Sequence, residues 1–342
     1  MLSDNKRVLP AGSTILVTGV SGFIGSHVAD QLLSAGYLVR GTTRDPTKSS
    51  WLPTFFDNKY GKGKFDLITV VDTAEAGAFD SALEGVSGVI HVASDMTFGP
   101  DPNLVITPTV ASTLNILRAA AEHASVKRVV LTSSCASAAS PGLVRAIEVD
   151  SWNDEAISQA WAPPPYEPSR GFSVYAASKA QSEKEAWKWY EESKPGFVLN
   201  AVLPSMNFGK SLDPVSQGHP STSGLIQGVF HNDVETVSNN GAQYFFIDVQ
   251  DNALLHVAAL LHPDIRQERI FAYAAPYTWR GVQKVVQGLY PERPLGPEFP
   301  DAEPDASTIV PAPRAEFLLK EMGRDGWTSL EECVKLNTED LV

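Results

Sequence analysis

The feature that most constrains the fold is a glycine-rich turn between a short apolar strand and the first helix. Residues Thr14–Thr18 are apolar and β-branched, and Gly19, Gly22 and Gly25 follow at every third position. Apolar residues then recur with helical spacing over residues 23–35, and Gly36 ends that pattern. In such a turn, glycines bring the backbone close to a pyrophosphate at the helix N-terminus. An ordinary glycine turn is the alternative interpretation.

Beyond this turn, strand-like and helical patterns alternate with short connections. Strand-like runs lie at residues 37–43, 66–71, 89–93, 128–132 and 197–203, and long helical patterns lie at residues 104–123 and 174–193. The alternation predicts β–α–β units, and the nearly continuous apolar strands indicate helices on both faces. We therefore predict an α/β fold, a doubly wound parallel sheet (Rossmann-like) with a smaller interleaved C-terminal substrate lobe. Residues 1–204 and 242–262 are assigned to the nucleotide-binding domain, and residues 205–241 and 263–342 to the lobe.

The residues after the second strand indicate which dinucleotide the turn would bind. NAD enzymes usually carry an acid roughly 20 residues beyond the glycines, where it holds the adenosine ribose. Here the strand ends in Arg40-Gly41-Thr42-Thr43-Arg44, with no acid before Asp45. Arg44 and Lys48 suit a 2′-phosphate, which predicts NADP(H), although they could be ordinary surface charges. Asp72 is placed to meet the adenine amino group or to cap a helix.

A second signal is a Tyr–Lys pair four residues apart, which places both side chains on one face of a helix. Three pairs have this spacing: Tyr60/Lys64, Tyr175/Lys179 and Tyr190/Lys194. The first pair spans two glycines, and the third lies at a helix end, about 22 Å along the helix from Tyr175. Only Tyr175 lies at a helix start, on the side where ligands bind in such folds. We therefore predict that Tyr175 and Lys179 do acid–base chemistry; the alternative is an exposed aromatic ring and a solvated lysine.

Composition limits the remaining function classes. The chain has 342 residues, 27 basic and 40 acidic, and its net charge of −13 argues against a surface for nucleic acids or anionic membranes. Two cysteines are too few for a disulfide framework. The longest apolar stretch, residues 253–261, is far shorter than the roughly 20 residues that cross a bilayer, and no signal peptide is visible. We expect a cytoplasmic monomer or homodimer without nucleic-acid or membrane partners and without a metal site.

With these motifs established, the chain resembles the extended short-chain dehydrogenases/reductases over nearly its whole length. The resemblance is carried by the glycine spacing, Thr132-Ser133-Ser134, Tyr175-Ala-Ala-Ser-Lys179 and Phe246-Ile-Asp-Val-Gln-Asp251. Further stretches are similar to the dihydroflavonol-reductase-like branch and, within it, to microbial aldehyde and carbonyl reductases. They are Val39-Arg-Gly-Thr-Thr-Arg44, Thr113-Leu-Asn-Ile-Leu-Arg-Ala119, Leu199-Asn-Ala-Val-Leu-Pro204 and Gly323-Arg-Asp-Gly-Trp327.

The resemblance implies roles for individual residues. Ser134 would be the catalytic serine, with Ser133 as the alternative, and Tyr175 the general acid, its pKa lowered by Lys179. Asn115 would hold a relay water or only fill a helix bend. NADPH/NADP+ would contact Gly19, Ser21, Gly22, Phe23, Ile24, Gly25, Arg44, Lys48, Asp72, Ala93, Ser94, Thr132, Ser133, Tyr175, Lys179, Pro204 and Ser205. The substrate pocket would comprise Met96, Phe98, Cys135, Val174, Met206, Phe230, Gln243 and Tyr244. For Cys135 the favoured alternative is a packed small hydrophobe, and each of the others could instead be lobe core.

Three functions fit these residues. The preferred one is NADPH-dependent reduction of aldehydes and ketones, including activated keto esters, to alcohols by hydride transfer, with Tyr175 as general acid. The apolar character of the pocket residues favours an aryl or alkyl carbonyl. The second is a nucleotide-sugar epimerase or a hydroxysteroid- or dihydroflavonol-type dehydrogenase on the same core. The third is an NADP-sensing regulator without chemistry, a class that loses the Tyr–Lys pair.

Overall fold

The structure, a computed structural model, describes residues 6–294 and 296–342. Its strands are β1 (Thr14–Thr18), β2 (Leu38–Thr43), β3 (Phe65–Thr69), β4 (Val86–His91), β5 (Arg128–Thr132), β6 (Ala146–Ile147), β7 (Val198–Pro204), β8 (Met206–Phe208), β9 (Phe245–Asp248), β10 (Arg269–Ala272), β11 (Ala275–Pro276) and β12 (Thr308–Ile309). Its helices are α1 (Phe23–Ser34), α2 (Trp51–Tyr60), α3 (Asp80–Leu83), α4 (Pro102–Glu122), α5 (Asp154–Ala160), α6 (Gly171–Ser193), α7 (Ser223–Phe230), α8 (Val234–Asn240), α9 (Val249–Leu261), α10 (Trp279–Leu289), α11 (Ala312–Glu321) and α12 (Leu330–Thr338). The sequence patterns did not indicate α2.

Seven strands form the main sheet in the order β10-β7-β5-β4-β1-β2-β3, and all neighbouring strands in it are parallel. The chain reverses its winding direction at β1, which lies between β2 and β4, so a crevice opens at the carboxyl ends of these strands. Helices α1, α9 and α11 pack together on one face, and α4, α5 and α6 pack together on the other. The predicted α/β, doubly wound fold is confirmed.

Helix α4 is the helix in the described residues that bears on the expectation of no membrane partner. Its 21 residues are long and apolar enough to cross a bilayer, by length and composition alone, and half of its most apolar window is buried inside the protein. Residues 253–261, the stretch singled out from the sequence for this property, are shorter than α4. Since α4 packs against α6 and the sheet, burial in the core accounts for its apolar residues.

The lobe has its own sheet and its own core. Strands β11, β9 and β8 pair beside the main sheet, and helices α7, α10 and α12 pack together around a cluster that includes Phe208, Phe230, Phe246 and Trp279.

The predicted division between domain and lobe is wrong at two strands. Strand β10, assigned to the lobe, is the edge strand of the main sheet, where Arg269 pairs with Ala201 of β7. Strand β9, assigned to the main domain, pairs with β8 and β11 outside that sheet. The predicted boundaries rest on changes in local composition and hydrophobic pattern, whereas these strand pairings join residues that are far apart along the chain.

Candidate active site

The glycine-rich turn is shaped to present its backbone to a ligand. Gly19 has a φ of +62°, which favours glycine. A Cβ atom at Gly25 would lie 2.3 Å from the Gly19 carbonyl oxygen, so a larger residue would push α1 away from β1. Gly22 is the N-cap of α1 and offers no side-chain acceptor, so the first N–H groups of the helix face outward at the positive end of its dipole. This arrangement suits an anionic pyrophosphate.

The end of β4 lies against this turn and carries a free hydroxyl group. A Cβ atom at Gly19 would come within 3.0 Å of Ala93 Cα, so the two backbones are in close contact. Thr18 Oγ1 accepts hydrogen bonds from the N–H groups of Val92 and Ala93, at 3.0 and 3.1 Å. The next hydroxyl, Ser94 Oγ, is buried and has no hydrogen-bond partner within the described ranges. A buried, unpaired hydroxyl beside a glycine turn fits a nucleotide, whose ribose hydroxyls could pair with it.

Two basic side chains follow β2, next to the same turn. Val20 N–H donates to Thr42 O at 3.2 Å, which places the end of β2 beside the glycines. Lys48 Nζ lies 4.0 Å from an Asp45 carboxylate oxygen and is exposed. The Arg44 side chain is exposed and makes no ion pair or hydrogen bond with the part of the chain that the structure describes. Arg44 is therefore the more available of the two cations for a 2′-phosphate.

Asp72 is exposed beyond the end of β3. Its Oδ1 accepts a hydrogen bond from Ala74 N–H at 2.8 Å, which closes a local turn. The helix-cap alternative does not hold, because the next helix, α3, starts at Asp80 with Phe79 as its N-cap. Only the second carboxylate oxygen of Asp72 is left to meet an adenine amino group.

A loop of the lobe, residues 210–218, is fastened to the glycine-rich turn. Gln217 Nε2 donates to Ser21 O at 3.2 Å and to Ser26 Oγ at 2.9 Å. His27 Nε2 lies 2.7 Å from Lys210 O. Sequence reasoning missed Gln217 because the stretch around it has no helical or strand-like period.

Tyr175 and Ser134 meet at the carboxyl end of β5. Tyr175 lies in the second turn of α6, and its Oη donates to Ser134 Oγ at 3.4 Å. Ser134 Oγ also accepts from Ala136 N–H at 3.1 Å, because Ser134 caps a short 3₁₀ turn. That bond holds the serine hydroxyl in place, and its own proton points to Cys135 Sγ, 3.9 Å away, a weak acceptor that a substrate oxygen can replace. Both hydroxyl groups can therefore contact one substrate oxygen.

The alternative serine, Ser133, faces the protein interior. Its Oγ donates to Glu183 Oε2 at 2.6 Å and to Ser137 Oγ at 3.1 Å. These bonds occupy the Ser133 hydroxyl, whereas Ser134 Oγ is the one that Tyr175 contacts, so the geometry favours Ser134 as the serine of the site.

Lys179 lies one turn after Tyr175 and is buried. Its Nζ donates to Thr132 O at 3.2 Å. Burial lowers the pKa of Lys179 to about 8, and the neighbouring Glu183 carboxylate opposes this shift. The amine is therefore mostly protonated at neutral pH.

The expected effect of Lys179 on Tyr175 is not found. Burial raises the pKa of Tyr175 to about 12, and the hydrogen bond with Ser134 opposes this only in part. Since Lys179 Nζ binds the Thr132 carbonyl, its charge does not offset the burial of the phenol. This corrects the expectation of a lowered pKa. A phenol of this kind is protonated at neutral pH and is ready to donate.

Asn115 does not join these groups. Its Nδ2 donates to Thr73 O at 3.0 Å and to Glu75 O at 2.5 Å, which ties α4 to the loop after β3. The residues of α4 that line a small cavity beside Lys179 are Thr109 and Thr113. Asn115 lies two positions after Thr113, so its side chain is rotated by about 200° around the helix axis and points away from that cavity. The implied water-relay role is therefore not supported.

The remaining residues implied for the nicotinamide end lie at the correct sheet edge. Thr132 Oγ1 is 2.8 Å from His256 Nε2, and Ser133 N–H donates to Val202 O at 2.8 Å. Pro204 is the last residue of β7. Ser205 Oγ is occupied, because it donates to Phe245 O at 2.5 Å.

Only part of the predicted substrate pocket surrounds the two hydroxyls. The Phe98 ring centroid lies 4.8 Å from that of Tyr175, and Cys135 Sγ lies 3.9 Å from Ser134 Oγ. Met96, near Phe98 in the chain, is half exposed. The others are structural: Val174, Phe230 and Tyr244 are buried in three separate cores, Met206 packs on the lobe core, and Gln243 accepts from Trp279 N–H at the start of α10.

Phe172 is a site residue that the sequence analysis missed. Its ring centroid lies 6.4 Å from that of Tyr175, and its side chain is 40% exposed. The available signal was its position three residues before Tyr175 on one helix, a spacing that makes side chains neighbours.

Comparison with known proteins agrees with this geometry. Residues 15–272 match the profile of the NAD dependent epimerase/dehydratase family. Aldehyde reductase 2 of Sporidiobolus salmonicolor is 41% identical over 98% of both chains, and ketoreductase adrE of Penicillium roqueforti is 42% identical over 97% of both. The solved structure of yeast methylglyoxal/isovaleraldehyde reductase Gre2 complexed with NADPH superposes with a TM-score of 0.80 at 25% identity, covering 96% of this chain and 98% of that one.

The family match spans the first strand, the glycine-rich turn, the Tyr–Lys pair and the last strand of the main sheet, β10. The two curated relatives align from end to end and so include the lobe. The chain thus belongs to the NAD dependent epimerase/dehydratase family of extended short-chain dehydrogenases/reductases.

Proposed function

We propose that the protein reduces aldehydes and ketones, including activated keto esters, to alcohols with NADPH. The observation that carries the proposal is the pair of hydroxyl groups on Tyr175 and Ser134, 3.4 Å apart beside buried Lys179 at the carboxyl end of β5. The names of the relatives support it, since one is an aldehyde reductase and another a ketoreductase, and the Gre2 structure was solved with NADPH.

The chain's own groups would handle the charge and the proton. Bound NADPH would supply the hydride that adds to the carbonyl carbon. Tyr175 Oη, protonated at neutral pH, gives its proton to the oxygen as negative charge develops there. Ser134 Oγ donates a hydrogen bond to the same oxygen. Lys179 keeps a positive charge in the crevice beside Thr132, where it would hold the nicotinamide ribose, and the Tyr175 phenolate then recovers a proton from water.

The cofactor would lie along the crevice from β2 to β5. Gly19, Gly22 and Gly25 would hold the pyrophosphate, and Ser94 would pair with a ribose hydroxyl. Arg44, whose guanidinium has no partner among residues 6–294 and 296–342, would bind the 2′-phosphate that distinguishes NADPH from NADH, with Lys48 nearby.

The substrate would be a small carbonyl compound with an apolar group. Phe98 and Phe172 are exposed aromatic side chains whose rings lie next to the Tyr175 phenol, and Met96, two residues before Phe98 in the chain, is exposed as well. Apolar side chains of this size favour aryl or alkyl groups. A cytoplasmic location completes the proposal, and the free thiols of Cys135 and Cys333 fit a reducing compartment.

The first experiment measures NADPH consumption with aryl aldehydes, aliphatic aldehydes and keto esters. Tyr175→Phe should lower kcat by at least about 100-fold, because a general acid contributes on that scale, while the Kd for NADPH changes little. Tyr190→Phe is the matched control: Tyr190 lies on the same helix four residues before Lys194, but its hydroxyl donates to Phe197 O at 3.0 Å. It should retain the wild-type kcat. Full turnover in Tyr175→Phe would refute the catalytic assignment.

A second pair of variants separates the two serines. Ser134→Ala should lower kcat by about 100-fold, since it removes a donor to the developing oxyanion. Ser133→Ala should mainly lower stability, because its hydroxyl bonds to buried Glu183. Tight NADPH binding by the wild-type chain without turnover of any carbonyl would refute a reductase and favour the sensing regulator.

A further inference from the structure

A buried ion pair lies next to Lys179 and has no part in the mechanism above. Glu183 and Arg269 side chains are 1% and 8% exposed, and Arg269 Nε donates to Glu183 Oε1 at 2.7 Å. Removing two charges from water is costly, and a buried pair of this kind often adds little net stability. Its position beside the candidate active site therefore calls for a functional reason.

The Glu183 carboxylate accepts hydrogen bonds from several elements at once. Ser133 Oγ and Ser137 Oγ donate to Oε2 at 2.6 and 3.0 Å, and Trp187 Nε1 donates to Oε1 at 3.2 Å. Ser133 directly precedes Ser134, and Ser137 ends the 3₁₀ turn that Ser134 caps. The carboxylate thus holds both sides of the segment that presents the Ser134 hydroxyl.

Arg269 is fixed just as firmly from β10. Its Nη1 donates to Val149 O at 2.6 Å and to Ser151 O at 2.9 Å, and its guanidinium lies 3.8 Å from the centroid of the Trp152 ring. Arg269 therefore holds Glu183 in one position from the edge strand of the main sheet.

Glu183 is also the acid that faces Lys179. The two residues are four positions apart on α6, a spacing that puts them on one helix face, and both line the small cavity next to β4 and β5. The other titratable groups that face Lys179 are Tyr175 on α6, His91 on β4 and His256 on α9. Burial lowers the pKa of His91 to about 3 and that of His256 to about 4, so both imidazoles are neutral at neutral pH. Glu183 supplies the compensating negative charge.

We propose that Glu183, held by Arg269, is a positioning residue for the reduction: its carboxylate keeps buried Lys179 protonated, and its hydrogen bonds fix the segment that carries Ser134. The inference rests on the proposed function. It adds an electrostatic role to a pair that would otherwise serve only packing, and that role can be measured through pH.

The sign of the effect follows from the charges. Lys179 acts as a cation, so activity falls as pH rises through its pKa. Removing the negative charge with Glu183→Gln leaves the Arg269 and Lys179 cations without the carboxylate that both of them face, which lowers the pKa of Lys179 and moves the alkaline fall of kcat to lower pH. Removing the positive charge with Arg269→Gln leaves the carboxylate unopposed, which moves the fall to higher pH. A loss of packing alone would not give opposite shifts.

The experiment measures kcat for NADPH-dependent carbonyl reduction across the neutral to alkaline range. We expect Glu183→Gln to lower the alkaline midpoint by about one pH unit and Arg269→Gln to raise it, which is the scale of a neighbouring charge. Glu185→Gln is the matched control, because it removes the same charge from an exposed position on the same helix. Its midpoint should match that of the wild type.

Shifts in the same direction, or no shift in either variant, would overturn the inference. If Glu183→Gln does not fold, Arg269→Gln is compared with Arg269→Lys. Arg269→Gln should then raise the alkaline midpoint of kcat, and Arg269→Lys should keep it at the wild-type value. Equal midpoints in these two variants would overturn the inference as well. Failure of the proposed function is a different result, since the wild-type chain would then reduce no carbonyl at all.

Discussion

The close approach of α1 to the glycine-rich turn leads to a quantitative prediction for Gly25→Ala. The new Cβ atom would lie 2.3 Å from Gly19 O, 2.9 Å from Gly19 C and 3.0 Å from Val20 Cα. All three neighbours are backbone atoms, so the strain cannot be relieved by a side-chain rotation. Overpacking costs about 3 kcal/mol at the upper end of its usual range, and the better helix propensity of alanine returns about 1 kcal/mol. We expect a net loss of about 2 kcal/mol in the free energy of unfolding.

Cofactor binding should fall together with stability, because the same displacement moves the N-terminus of α1 away from the pyrophosphate site. A partly buried helix terminus contributes about 1–2 kcal/mol to holding an anion, so the Kd for NADPH should rise about tenfold. Urea denaturation gives the first quantity, and a fluorescence titration with NADPH gives the second.

Gly288→Ala is the control for the helix-propensity part of this estimate. Gly288 lies in α10, and among the described residues nothing beyond its chain neighbours and its own helical backbone lies within 4 Å of the position that its Cβ would take. This variant should be as stable as the wild type or more stable by up to about 1 kcal/mol, with an unchanged Kd for NADPH. The reasoning fails if Gly25→Ala behaves like Gly288→Ala in both measurements.

Two further predictions concern Arg44 and Asp248. Arg44→Ala should raise the KM for NADPH about tenfold and leave the KM for NADH unchanged. Tenfold is the low end of the range for a hydrogen bond to a charged group, because Arg44 is exposed. An equal rise in both KM values would place the 2′-phosphate elsewhere. Burial, and next the negative charge of Asp251, raise the pKa of Asp248 from 3.8 to about 6. Asp248 therefore makes its full contribution to the free energy of unfolding below pH 3.8. About 3 kcal/mol of that contribution is lost as pH rises through about 6. Asp248→Asn should flatten that decline in urea denaturation at a series of pH values, and an unchanged decline would assign it to other groups.

Some parts of the candidate site could be predicted from the sequence, because each lies within one strand–turn–helix unit or one helix turn. The glycine-rich turn was predictable because its constraint is steric and acts within a few residues of Gly19. Tyr175 and Lys179 were predictable because helix geometry alone puts them on one face and because the fold places a helix start at the binding edge. The glycine-rich turn and the Tyr175–Lys179 pair lie in the structure on the elements for which they were predicted.

Features that depend on distant pairings were not predictable. The phase of α4 is set by its packing on α6, so sequence could not show that Thr113 and not Asn115 faces Lys179. Ser133 and Ser134 are neighbours of the same type, and they differ only in their contacts in the fold, where Ser133 binds Glu183 and Ser134 contacts Tyr175. Gln217 contacts Ser21 in the glycine-rich turn, although the two residues are 196 positions apart in the sequence, and no local pattern indicates this contact.

The two shifted groups at the centre of the site determine which proton-transfer role Tyr175 is ready for in the cofactor-free chain at neutral pH. Tyr175, with a pKa of about 12, is protonated there, and Lys179, with a pKa of about 8, is still mostly charged. Reduction needs a phenol that can donate, whereas oxidation of an alcohol needs the phenolate as base. In the cofactor-free chain that base is scarce below strongly alkaline pH, because burial and not Lys179 dominates the pKa of Tyr175. The protonation state that the fold sets is therefore the one that carbonyl reduction requires.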